Sequence, residues 1–87
     1  MKIKDGFVVR EIAGQTIVVA LGAATRDFNG MIKLNETGRT IWELISQGKE
    51  REEIIEYFLS EYDIDRASVE KDVDTFINTL QGANILE

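Results

Sequence analysis

The strongest constraint on this chain is the point at which its hydrophobic spacing changes. Before residue 35 the apolar residues come in short runs; after it they recur at steps of three and four. Phe7-Val8-Val9-Arg10-Glu11-Ile12 and Gln15-Thr16-Ile17-Val18-Val19-Ala20-Leu21 are rich in β-branched residues and are separated only by Ala13-Gly14. Such runs with a two-residue gap predict a β-hairpin, with Gly14 supplying a positive φ at the second loop position. Gly22 to Gly30 reads as a polar connection ending in an Asn29-Gly30 turn. Met31-Ile32-Lys33-Leu34 predicts a short third strand, with Ile32 and Leu34 inward and Met31 and Lys33 on the other face. A lysine on a short strand also protects an exposed sheet edge.

Three helices follow. Asn35 is the expected N-cap of the first, over residues 36–46, with Ile41, Leu44 and Ile45 on one face, Trp42 at the rim of the core and Gly48 at the C-terminal end. Gly38 costs about 1 kcal/mol of helix propensity against Ala, which points to a place where the strand-to-helix corner packs closely. The second helix, over 50–62, carries Ile54, Ile55, Phe58, Leu59 and Tyr62 as its apolar stripe. The third, over 66–81 with Asp65 as N-cap, places Val69, Val73, Phe76 and Leu80 on one stripe that Ile77 widens, and Gly82 ends it. Ile85 and Leu86 in the tail are expected to tie into the core. Three strands grouped before three helices predict an α+β, winged-helix-like fold, a three-stranded antiparallel sheet followed by three helices. The length of 87 residues sets one domain, 1–87, as the expectation.

Composition narrows the chemistry. The chain has no Cys and no His. Disulfides, thiolate metal sites and Ser-His or Cys-His nucleophile pairs are therefore excluded. No metal or cofactor site is expected, and the reading is not an enzyme. The N-terminal residues lack the apolar stretch of a signal peptide, and no run approaches the ~20 apolar residues that span a bilayer. The expectation is a cytoplasmic chain with no membrane partner.

The net charge of −6 is uneven: +2 over residues 1–40 and −8 over residues 41–87. An acidic C-terminal half is a poor match to phosphate backbones. The helix-turn-helix order of the last two helices suggests a DNA reader, yet the third helix sets Arg66, Lys71 and Asn78 against Glu70, Asp72 and Asp74, so no basic stripe forms. Asp63-Ile64-Asp65 alternates like the start of a calcium loop but lacks the rest of one, and reads as a capped turn. Gly22-Ala23-Ala24-Thr25 lacks the lysine and the following helix of a phosphate loop. The third strand is the remaining signal. An edge strand beside an amphipathic helix makes a groove where an extended peptide can add as a further strand.

Asn29-Gly30-Met31-Ile32-Lys33-Leu34-Asn35-Glu36-Thr37-Gly38, followed by Ile41-Trp42-Glu43-Leu44, resembles the centre of the PqqD-like family. Arg51-Glu52-Glu53-Ile54, Glu61-Tyr62-Asp63-Ile64-Asp65, the run from Val69 to Phe76, Leu80 and the closing Ile85-Leu86 extend the resemblance over nearly the whole chain. The segment before Asn29 departs from the more charged turn expected of the subgroup serving pyrroloquinoline quinone synthesis. The family resembles the precursor-peptide recognition element of ribosomally made, post-translationally modified peptides. The resemblance implies a non-catalytic, cofactor-free adaptor that binds a leader peptide by strand addition, for a partner enzyme such as a radical S-adenosylmethionine protein. By position, the implied peptide-binding residues are Met31, Ile32, Lys33 and Leu34 on the strand, and Val69, Asp72, Val73 and Phe76 on the helix. Lys33 and the acidic third helix are expected to select the leader by charge, and Val73 and Phe76 to supply apolar pockets. The alternatives are a winged-helix DNA-binding regulator and a domain that docks only on the enzyme; homodimer formation is left open.

Overall fold

The computed structural model describes residues 1–26 and 31–87. The Asn29-Gly30 turn lies outside the described residues. The order is β1 (Phe7–Ile12), β2 (Gln15–Ala20), β3 (Ile32–Leu34), α1 (Glu36–Ser46), α2 (Arg51–Glu61) and α3 (Arg66–Gly82). The fold is the α+β arrangement expected, a three-stranded antiparallel sheet followed by three helices.

β1 and β2 form the hairpin, with Ile12 opposite Gln15. Both loop residues have positive φ, Ala13 at 53° and Gly14 at 78°. That is the pattern of a type I′ turn, whose twist matches the flanking strands. β2 then pairs with β3, with Thr16 opposite Leu34, Ile17 opposite Lys33 and Val18 opposite Ile32. The order β1-β2-β3 leaves β3 at an edge. The connection read as helix-free contains a short 3-10 helix over Gly22–Arg26, closed by Thr25 Oγ1 donating to the Gly22 carbonyl at 2.7 Å.

Alternation assigns the two sheet faces. Phe7 and Val18 lie in the main apolar cluster, with Val9, Ala20 and Ile32 packed against it and Leu34 within it. Ile17 points the other way; it is 3 % exposed but takes no part in that cluster. Ile41, Trp42 and Ile45 from α1, Ile54, Ile55 and Phe58 from α2, and Val69, Val73, Ile77 and Leu80 from α3 complete the core. Burying an aliphatic side chain of this size stabilises by about 1.5–3 kcal/mol. Trp42 is inside the core rather than at its rim. Tyr62, expected on the α2 stripe, is exposed at the helix end and stacks on Phe58 with ring centroids 5.8 Å apart.

Two helix ends use the same device. After α1, Gly48 has φ 87° and donates to the Ile45 carbonyl, while Lys49 donates to that of Leu44. After α3, Asn84 rather than Gly82 takes positive φ, 61°. Asn84 donates to the Gln81 carbonyl and Ile85 to that of Leu80. Both are Schellman motifs, which satisfy the last carbonyls of a helix. The second turns the tail inward, where Ile85 is fully buried and Leu86 forms an antiparallel bridge with Ile3.

Candidate functional site

A cleft of about 1130 Å³ lies between β3 and α3. Asn35 caps α1 by accepting from the Gly38 backbone N–H at 2.7 Å, and this fixes the corner at which β3 becomes α1. Gly38 sits under the Phe76 ring. A Cβ there would lie 3.1 Å from Phe76 Cε1, so the close approach of α3 to this corner depends on glycine. Phe76 itself is half-buried, with one side on the core and the other on the cleft. Thr75, Thr79, Lys71 and Asp72 continue the α3 wall.

A smaller cavity of about 420 Å³ adjoins it and shares Glu36, Thr37 and Asp72 with the first. Its wall is more apolar, with Phe58, Tyr62, Ile64, Val69 and Val73. Tyr62 and Ile64 are exposed. The two spaces form one trough, bounded by an edge strand and ending in an apolar recess.

The structure divides the eight residues expected at the site. Ile32, Lys33, Leu34, Asp72 and Phe76 line the main cleft. Val69 and Val73 line the smaller recess and are buried, so they shape its floor while offering little surface. Met31 lines neither space and is 61 % exposed just before β3. Sequence reasoning missed Gly38, Thr75, Thr79, Tyr62 and Ile64 as lining residues. The spacing of 72, 75, 76 and 79 along α3 is the signal that marks a single helix face.

Electrostatics correct one expectation. The acidic character of α3 is largely turned away from the cleft. Asp74 accepts from Arg51 Nε at 2.6 Å and from Arg51 Nη2 at 3.0 Å. Glu70 pairs with Arg66, which also holds Glu52. The Arg51 guanidinium holds the Asp74 carboxyl below its ordinary value. These pairs join α3 to α2; of the α3 charges, only Lys71 and Asp72 line the cleft. Among the described residues no group of acidic side chains is placed to hold a metal ion.

What the trough offers is backbone. An edge strand leaves alternate N–H and C=O groups unpaired, open to a further strand. The family model described as coenzyme PQQ synthesis protein D matches residues 8–86. The chain belongs to the PqqD family. Comparison with curated proteins gives no match. Among solved structures, it is similar to TbiB1 in complex with the TbiA(beta) leader peptide, at 32 % identity and a TM-score of 0.80, covering 100 % of this chain and 95 % of that one. Lasso peptide synthetase B1 complexed with the leader peptide shares the fold at 16 % identity and a TM-score of 0.78, covering 99 % of this chain and 95 % of that one. The PqqD fold thus accounts for both the sheet and the three helices. Among the described residues no helix is long and apolar enough to cross a membrane.

Proposed function

We propose that this chain, acting over residues 1–87 as one recognition unit, is a non-catalytic adaptor for a precursor peptide. The leader segment adds as a fourth strand along the open edge of β3 and rests on α3. Its backbone pairs with residues 31–34, and alternate side chains enter the trough at Phe76, Asp72 and the recess floored by Val69 and Val73. A partner enzyme of the cell interior, of the radical S-adenosylmethionine class, then modifies the remainder of the peptide. The carrying observation is an unpaired strand edge facing a half-exposed aromatic side chain. Support comes from full-length similarity to TbiB1, whose structure holds a leader peptide. The absence of His and Cys from the sequence removes Ser-His and Cys-His nucleophile pairs, in keeping with a role in binding.

The test is a titration of isotope-labelled protein with the leader segment of a short peptide encoded beside it, following backbone amide shifts. Shifts confined to residues 31–34 and to the cleft face of α3 are expected. Shifts confined to the α2–α3 ion-pair face, or saturable binding to the enzyme with none to the leader, would replace this reading with a docking role.

A further inference from the structure

The proposed strand addition has a second face. Side chains alternate across a sheet, so an added strand presents only half of its residues to α3. The other half joins the opposite face of the sheet. There the register sets Arg10 beside Ile17 and Ile17 beside Lys33, one residue from each strand in a single row. With strands ≈ 4.8 Å apart, the two cations stand roughly 10 Å from each other across the isoleucine. Ile17 is 3 % exposed between them.

The two cations differ from the arginines that join the helices to their neighbours. Arg39, Arg51 and Arg66 each pair with a carboxylate. Arg10 and Lys33 have no ion pair among the described residues, although the chain carries a net charge of −6. Lys33 occupies the edge position of the row, so the next side chain in the row belongs to whatever pairs with β3. Opposite charges at facing positions attract and like charges repel.

We infer that the captured strand carries an acidic side chain at the outward-facing position opposite Lys33, where it extends the Arg10–Ile17–Lys33 row. This rests on the strand-addition reading. Specificity then has two parts: apolar contacts over Phe76 on the α3 side of the sheet, and charge at Lys33 on the opposite side of the strand edge. A facing pair of opposite charges gives a preference of roughly two- to fivefold over alanine at that position.

The experiment selects random 15-residue peptides by display against wild-type protein, Lys33→Gln and Lys33→Glu, with each variant's fold checked by circular dichroism. Lys33 is exposed, so neither substitution disturbs the core. The expected result is Asp or Glu at one position of the wild-type selection, flanked on either side, one residue away, by inward-facing apolar positions. Lys33→Gln erases that bias, and Lys33→Glu inverts it to Lys or Arg. Strands selected with the apolar alternation but no charge bias, or with a bias unchanged by Lys33→Glu, overturn the inference and leave peptide capture standing. Failure of all three proteins to enrich any peptide overturns capture by the strand edge, and the inference with it.

Discussion

The Phe76 ring packs directly on Gly38: a Cβ at residue 38 would fall 3.1 Å from Cε1 and 3.4 Å from Cδ1 of the ring. The contact ties α3 to the start of α1 and sets how far the ring stands into the trough. Gly38→Ala separates two effects. Alanine gains up to about 1 kcal/mol of helix propensity. The added methyl also presses on the half-exposed ring and lies 3.2 Å from Asn35 Oδ1, the cap of α1. The thermal midpoint is expected to stay within a few degrees of wild type. Leader affinity, measured by calorimetry, is expected to fall about tenfold as the displaced ring fills the cleft.

Phe76→Ala tests the same wall by removal. Fully buried phenylalanines cost about 3–5 kcal/mol on truncation. Phe76 is only half-buried, so the stability loss, read by urea titration, should fall below that range. Leader affinity should drop by more than the stability loss, expressed as free energy. Unchanged affinity in a folded variant would remove Phe76 from the site.

Ala13 is the residue least suited to its place. Its φ of 53° lies in the left-handed region, where a non-glycine residue carries about 1–2 kcal/mol of strain. Asparagine tolerates that region better and favours type I′ turns. Ala13→Asn is expected to raise the denaturation midpoint by the equivalent of about 0.5–1 kcal/mol. Leader binding should not change, because Ala13 does not line the trough.

Acid should loosen the helical half through two carboxylates. The Ser68 backbone N–H and then its hydroxyl hold Asp65 below the ordinary 3.8, and Arg51 lowers Asp74 in the same sense. A carboxyl group lowered on folding contributes fully above its unfolded value and loses that contribution as pH falls through its folded value. Both contributions are therefore intact near neutrality and decline below about pH 3.8. A double variant, Asp65→Asn with Asp74→Asn, is expected to show a shallower fall of thermal midpoint below that pH. Asparagine can still cap α3 at residue 65, so the helix start is retained.

Much of the fold was legible because its signals are local. Asn35 and Gly48 bracket α1, and its observed bounds match those expected from the sequence. The hairpin was legible from a two-residue gap. The division of labour between Phe76 and Ile77 was not. Both fit a broad helical stripe, and tertiary packing sets Ile77 in the core while Phe76, against Gly38, is shared between core and trough. The charge of α3 was misread for a related reason. Composition counts Glu70 and Asp74, whereas their direction depends on where Arg51 stands on the neighbouring α2 and, for Glu70, on Arg66 one turn earlier on α3 itself. Gly82 ends α3 as expected, but the left-handed turn at Asn84 that carries Ile85 into the core is a tertiary feature that no local signal marks.

The bridge between Ile3 and Leu86 closes the chain into a ring in all but covalent terms. A host polypeptide carrying this unit would enter and leave it at a single doorway, so insertion into a surface loop would stretch neither partner. Neither doorway residue lines the trough. A tether attached there would leave the strand edge open, and its length would set the effective concentration of captured peptide at a catalytic centre.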